Sequence, residues 1–491
     1  MNPNHYALVI DIGSSSVRCG GVDEYGHLHA LRSRSVLPQT PSPGLVEIDP
    51  QAIIEAVTSL SAAVIEELGA AGCVGIANQR ASTVVWDARD GKAIGPGIGW
   101  QDLRTVGTCL ELQAKGIRLA PNASATKIAW LIEHADAERY PLEHLRCGTL
   151  DSWVIWHLTK GASHITDLTN AGVTSLIDLT TCDWDYPTIE ALTLPRSLFA
   201  TIVDSMGHLA RATALSGSPP ITGILGDQQA SLLGQSCVYR GDAKLTIGTG
   251  AMLDLVTGPD APAEAKRNEN GTFPIPTWQL ASSPTWGLEA IALSAGSCIE
   301  WLRDDLGMIA SAEESEAVAA SVESADGVCF VPALLGLGTP IWDFGARGLL
   351  SGLTRGSGRG QIARAVLEGI AQRARDLVDA AEQDSGLSIK RVRVDGGMTS
   401  NTLFLSLLAD ALERPLEVSP VLEATVLGAG YAAGLGIGMF TDLDHIARLW
   451  RPRVTLEPTM DPFFRGLARE AYLEARRRSE RTIPGLSAID F

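Results

Sequence analysis

The sequence predicts an α/β protein made of two related halves, and three observations point there. Strand-like and helix-like stretches alternate along the chain, and a strand–turn–strand unit near the start recurs near the middle. The 491 residues also exceed what one hydrophobic core organises, at about 150 residues per domain.

The first unit is YALVIDIG, a continuous apolar strand, followed by the hydroxyl-rich turn GSSS and the strand VRCGGVD. The second is KLTIGTGAMLDLVTG from residue 244, in which Gly248 lies 235 residues after Gly13. A turn of glycine and hydroxyl residues lets an oxyanion approach the main chain, because glycine brings no side chain and tolerates positive φ. Two such turns at matching places read as the jaws of a phosphate clamp. The chain accordingly divides into residues 1–240 and 241–491.

Between the units, IIEAVTSLSAAVIEEL (53–68) has helical spacing, and VGIAN and TVVWD read as short strands. In the second half, residues 361–386 set Ile362, Val366, Ile370, Ala374, Leu377 and Ala381 along one helix face, with Gly386 as C-cap. The strand VRVDGG follows. This alternation predicts parallel or mixed sheets flanked by helices. ATVLGAGYAAGLGIGMFT (424–441) is 18 residues without a charge, with Gly430 and Gly434 at GxxxG spacing. Its five glycines and few large side chains fit a helix packed closely on a sheet, not a membrane span. REAYLEARRRSER (469–481) reads as a solvated terminal helix.

A net charge of −18 removes the attraction that drives binding to nucleic acids and anionic membranes. An anionic ligand must then be held locally, by backbone N–H groups, one or two arginines and a divalent cation. Eight cysteines, none in a CxxC pair, fit a reducing cytoplasm and neither a disulfide framework nor a zinc site. His27 and His29 are the one close histidine pair; with no cysteine or carboxylate cluster joining them, they read as surface residues. The N-terminus has no basic region ahead of its apolar run, so no signal peptide is expected.

Several glycine patterns fail. No GxxxxGK[ST] occurs, GSGRG and GAGYAAG lack the strand–turn–helix setting of a dinucleotide fingerprint, and HITDLTN lacks the arginine of a protein-kinase catalytic loop. What remains is Asp11-Ile-Gly-Ser-Ser-Ser-Val-Arg18, Gly226-Asp227-Gln228-Gln229, Gly248-Thr249-Gly250, and Asp395-Gly396-Gly397 with Asn401. Taken singly, each could serve a turn or a helix cap.

With NQR, TVVWD, GWQDLRT, SATKIAWL, GTLDSWVIWHLT, GDQQASLLGQ, AGSCIEWLRD, VPALLGLGTPIWD and VDGGMTSN in order along nearly the whole chain, these residues resemble the FGGY carbohydrate kinases. Within that family the likeness is greatest to the glycerol kinases. The resemblance implies the two-domain sugar-kinase and actin-like ATPase (ribonuclease H-like) fold, with an active-site cleft between domains. It implies ATP and Mg²⁺ as cofactors, a small polyol or sugar as substrate, and a homodimer or tetramer.

The resemblance also assigns roles. Asp227 takes the proton of the acceptor hydroxyl, and Asp11, with Asp227, orients Mg²⁺ largely through its waters. An aspartate with a reference pKa near ~3.9 is ionised at neutral pH, so no upward tuning of Asp227 is required. Gly13, Ser14, Ser15 and Arg18 meet the phosphates from the first hairpin, and Gly248, Thr249 and Gly250 from the second. Gly296 and Glu300 flank the nucleotide, with glutamine more usual than Glu300, and Gly397 and Asn401 line its adenosine side. Arg80 grips acceptor hydroxyls beside Trp100, Asp227 and Gln228.

This chain departs from glycerol kinases at the acceptor. They usually carry glutamate where it has Ala81, tyrosine where it has Asn122 and phenylalanine where it has Met252. The changes enlarge the pocket and remove a carboxylate, so a longer alditol or a ketose competes with glycerol as the expected acceptor. The same fold also serves chaperone-type ATP-driven switches, but those carry appended peptide-binding segments absent here and leave GWQD and GDQQ without a purpose.

Overall fold

The computed structural model describes residues 6–264 and 266–488. Its centre is a 13-stranded sheet. In chain order the strands are β1 (Tyr6–Ile12), β2 (Ser16–Asp23), β3 (Leu28–Ser35), β4 (Cys73–Asn78), β5 (Met206–Arg211), β6 (Pro220–Gly226), β7 (Ala243–Ile247), β8 (Ala251–Gly258), β9 (Phe273–Leu280), β10 (Ser283–Ala292), β11 (Val392–Asp395), β12 (Leu416–Val418) and β13 (Val454–Leu456). Across the sheet they run β13-β12-β11-β7-β8-β10-β9-β5-β6-β4-β1-β2-β3.

That order contains one wing twice. In the first wing β1 pairs antiparallel with β2 and parallel with β4, β2 continues to β3, and β6 joins β4. In the second, β7 pairs antiparallel with β8 and parallel with β11, β8 continues to β10, and β12 joins β11. The wings meet at β5 and β9, through the pair Met206 and Leu280. Two similar halves are therefore real, as the repeated strand–turn–strand unit predicts. Each wing has its own apolar core, one around Ile10, Ile76 and Trp153, the other around Leu253, Val366 and Val394.

The helices that position the site follow from local rules. α1 (Pro50–Leu68) starts at the Asp49 N-cap with Pro50 in its first turn. α2 (Asp227–Gly234) begins where β6 ends. α3 (Arg359–Ser385) stops at Gly386, whose φ of 66° is the left-handed cap a glycine permits. α4 (Thr402–Leu412) is capped by Asn401 and α5 (Ala424–Gly436) is buried along most of its length.

α5 explains the uncharged glycine-rich stretch. It belongs to the second half of the sequence but lies on β1, β4 and β6 of the first wing and crosses α2. A Cβ added at Gly428 would sit 1.7 Å from the Ala230 carbonyl oxygen, and one at Gly75 2.2 Å from that of Ala429. The glycines let backbones touch, which ties α2 to the sheet. Among the described residues no helix is long and apolar enough to cross a membrane.

The terminal helix differs from the sequence expectation. α6 (Pro462–Ser479) buries Tyr472, Ala475 and Ser479. Arg469 and Arg476 each reach 2.8 Å from the buried Asp376 of α3, which also pairs with Arg373 at 3.0 Å. Burial alone would raise Asp376, but the three guanidinium groups outweigh it and hold the carboxyl below its usual range. The charge-rich pattern hid an ion-paired docking face.

Candidate active site

The hairpins β1–β2 and β7–β8 each end in a three-residue turn, Gly13–Ser15 and Gly248–Gly250. In the first, Asp11 and Arg18 are direct cross-strand partners, with Arg18 Nη1 3.3 Å from Asp11 Oδ2. Arg18 also lies 3.1 Å from Glu423, just ahead of α5. Ser14 Oγ accepts from the Trp100 indole at 3.4 Å, which joins the turn to the loop after residue 99.

The second turn is braced by backbone. Gly296 N–H donates to the Gly248 carbonyl at 2.8 Å, and Ala295 and Ser297 N–H groups donate to that of Thr249 at 2.8 and 3.1 Å. Gly396 has φ 94° and stacks on Ile247, where a Cβ would meet the Ile247 oxygen at 2.4 Å. Gly397 follows, exposed, and Glu300 is exposed at the end of its short helix. Asn401 is otherwise engaged: its Oδ1 caps α4 by accepting from Phe404 N–H at 2.8 Å, and its Nδ2 donates to Ser315 at 3.3 Å. Only one amide proton of Asn401 is left for a ligand.

Asp227 opens α2, where the helix dipole favours a carboxylate. Its Oδ1 accepts from Gln228 N–H at 2.8 Å and lies 3.4 Å from Arg80 Nε. The side chain is 29% exposed, yet surrounding protein strips enough solvation to raise its pKa, with Arg80 and Lys244 pulling the other way. The upward shift, which the chemistry does not require, makes Asp227 a better proton acceptor. Asp11 is raised to about 7, first by burial and then by Asp227 and Glu423, while Arg18 opposes. Asp227 is thus an electrostatic neighbour of both hairpins. Asp395, the last residue of β11, accepts from Ser231 of α2 and from Gln235, which caps it, at 3.0 Å each and anchors that helix.

Arg80 forms a tight turn with Ala81 and Ser82: Ala81 is left-handed at φ 61°, and Ser82 N–H returns to the Arg80 carbonyl at 2.8 Å. The guanidinium reaches Glu289 at 2.5 Å, and its Nη1 is buried without a hydrogen-bond partner among the described residues. Burial disfavours its charge, but Glu289, Asp227 and Asp254 outweigh that. Residues 122–124 and the start of the helix Ala125–Glu133 are tied to this turn and to the loop at 99–100. Ser124 Oγ donates to the Ala81 carbonyl at 2.9 Å, and the buried Lys127 donates to the Gly99 and Trp100 carbonyls at 2.9 Å and to that of Asn122 at 3.4 Å. Asn122 itself is exposed. Met252 lies opposite Thr246 and Ile291 on β7 and β10, two residues from Asp254.

Three buried residues escape the motif reading: Lys244, Asp254 and Glu289. They form one row across β7, β8 and β10, with Lys244 opposite Asp254 and Asp254 opposite Glu289. The available signal was charge inside otherwise apolar strands, KLTI and LDLV. The histidine pair also needs correction: Asp23 joins His27 and His29, with His29 Nε2 2.8 Å from Asp23 Oδ2 and ligand atoms of all three within 4.8 Å. The hairpin between β2 and β3 brings them together.

Comparison with known proteins agrees with this arrangement. The N-terminal domain of the FGGY family of carbohydrate kinases matches residues 6–234, and its C-terminal domain matches residues 243–437. A glycerol kinase of Gloeobacter violaceus is 44% identical over 448 residues, 89% of each chain. The crystal structure of Plasmodium falciparum glycerol kinase with ADP superposes with a TM-score of 0.90 at 29% identity, covering 100% of both chains. A ligand-bound xylulose kinase from Lactobacillus acidophilus, 19% identical and covering 96% and 97% of the two chains, shares the fold with a TM-score of 0.85. Matched in both halves and across nearly its full length, the chain belongs to the FGGY family of carbohydrate kinases.

Proposed function

We propose that the protein transfers the γ-phosphoryl group of ATP to a primary hydroxyl of a small polyol or sugar. The observation that carries this is the setting of Asp227, at the start of a helix, beside Arg80, and within electrostatic reach of Asp11 on one hairpin and Lys244 on the other. With Oδ1 engaged by Gln228 N–H and Arg80, Oδ2 is the oxygen left to receive the hydroxyl proton. The acceptor oxygen then attacks phosphorus in line, and the bridging oxygen leaves with ADP. Ser14, Ser15 and Arg18 on one turn, and Thr249 with the N–H groups of Gly248 and Gly250 on the other, hold the phosphates.

Asp11 and Asp227 fit Mg²⁺ held largely through water, because a cation would relieve the crowding of Asp227 and Glu423 on the buried Asp11. When bound, that ion neutralises charge on the phosphates. The division near residue 240 makes the cleft a place that closure dries, which protects the phosphoryl group from water. By resemblance to its family the protein works as a cytoplasmic homodimer or tetramer, which light scattering would check.

A second reading concerns the acceptor. Ala81 supplies no carboxylate and Asn122 is exposed, so the pocket favours a longer alditol or a ketose over glycerol. ADP release measured against three- to seven-carbon polyols and ketoses, with glycerol taken to high concentration, tests both readings. An ATPase rate that no acceptor stimulates would sink the kinase reading. In the same assay Asp227→Asn keeps fold and ATP binding and loses at least ~10²-fold in turnover.

A further inference from the structure

Lys244 and Asp254 face each other across the second hairpin with side chains 0% and 1% exposed, Nζ lying 2.9 Å from Oδ2. Taking two charges out of water is costly, and the surrounding strands are apolar, so the pair stabilises little that leucines could not. Its geometry points to a different use. The ammonium donates to Thr246 Oγ1 at 2.9 Å and to Gln228 Oε1 at 2.7 Å, while Asp254, neither of whose oxygens makes a hydrogen bond among the described residues, holds it as an ion pair. An ammonium only donates, so the amide end that meets it must be the carbonyl, and the NH₂ of Gln228 faces away from Lys244.

We propose that Lys244, anchored by Asp254, is a positioning residue that holds Gln228 with its amide donors turned to the acceptor hydroxyls. Without the lysine, the oxygen and nitrogen ends of the amide, nearly equal in size, could exchange places. Arg80 is anchored in the same way by Glu289, the next member of the row. Asp227 and Gln228, adjacent in sequence, are thus each steadied by a cation fixed to one buried acid. The proposal rests on the reading that Gln228 touches the acceptor, and it adds what sets the direction of that contact.

The test is a double-mutant cycle assayed with glycerol and a ketopentose in parallel. The pair variant Lys244→Met with Asp254→Leu removes both charges together and so leaves none buried alone. It is expected to raise the acceptor KM about tenfold, lower kcat less than about threefold, and leave the KM for ATP unchanged. In a Gln228→Ala background the same pair change should add less than about twofold, because the lysine acts through the amide. An equal rise in that background, or a matching rise in the KM for ATP, would overturn the proposal, since a merely structural pair gives either result. If the pair variant does not fold, Gln228→Glu decides: it keeps an oxygen for Lys244 but offers no donor, so its acceptor KM should match that of Gln228→Ala, and a wild-type KM refutes the assignment. Should the wild type phosphorylate no acceptor, the kinase reading fails, while a crystal structure of the pair variant with Gln228 unmoved would still refute the positioning role.

Discussion

In the first hairpin the charged pair, Asp11 and Arg18, lies beside the turn, and the Arg18 side chain is 36% exposed. In the second, Lys244 and Asp254 lie deeper along the strands, out of water, with the acid and base on exchanged strands. Arg18 divides itself between Asp11 and Glu423 and is itself partly exposed, so on the proposed reading it can turn to a phosphate while the buried Asp11 faces the cation. Lys244 is buried, ion-paired with Asp254 and hydrogen-bonded to Gln228 and Thr246, which fixes its place. On the proposed reading, one plan supplies a mobile cation where a ligand comes and goes, and a fixed one where a side chain must keep its direction.

The turns differ in the same sense. A Cβ at Gly13 would find only the Ser16 oxygen, at 3.4 Å, and one at its counterpart Gly248 nothing within 4 Å, but at Gly250, the last residue of the second turn, it would meet the Ala292 carbonyl at 2.6 Å. The first turn is held by hydrogen bonds from Trp100 to Ser14, Val36 N–H to the Ser15 carbonyl and Gln79 to the Gly13 carbonyl, while the last residue of the second lies hard against β10. Gly250→Ala should therefore damage the fold, by about 1–3 kcal/mol in urea denaturation, and cut turnover about 10²-fold by displacing the turn. Gly13→Ala should leave stability within about 0.5 kcal/mol and weaken ATP binding alone. Equal stability losses in the two variants would erase the contrast.

A smaller effect separates the two charged pairs. Arg18→Ala removes a charge-assisted contact worth about 1.5–3 kcal/mol, so the KM for ATP should rise about 10–100-fold while the acceptor KM holds. Kinetics with each substrate varied in turn would show it. A shift in both constants would mean that Arg18 is as structural as Lys244.

The fold was legible because its signals are local. Apolar runs, the two glycine-hydroxyl turns and the 3.6-residue pattern of α3 each sit within a few dozen residues, and the repeat links them. Motif order also brings Arg80 toward Asp227, and Gly296 toward Gly248, as the structure has them. What stayed hidden depends on register. Glu289 lies 209 residues from Arg80, and nothing near either one says they meet at 2.5 Å. Asp23 and His29 come together only once the β2–β3 hairpin is aligned, and α6 looked solvated because its arginines are paired by Asp376, nearly a hundred residues earlier. The solvation of Asp227 is likewise set by neighbours from distant segments, so its raised pKa has no sequence signal.

The smallest expected effect sharpens the acceptor side of the contrast, where the fixed hairpin meets the altered wall. Ala81→Glu, Asn122→Tyr and Met252→Phe together should raise kcat/KM for glycerol by about tenfold, the worth of roughly one recovered bond to a charged group. Ala81 already occupies the left-handed region at φ 61°, a conformation that costs glutamate about what it costs alanine, so the backbone gives no reason for the change to fail. The new carboxylate would also enter a pocket whose existing acids are claimed, Glu289 by Arg80 and Asp254 by Lys244. Arg80 Nη1, buried and without a hydrogen-bond partner among the described residues, is a donor that the new carboxylate could meet. If glycerol use does not improve while a ketose keeps its rate, the acceptor is chosen by Arg80 and Gln228, which the buried row holds, and the three wall residues set only the room available.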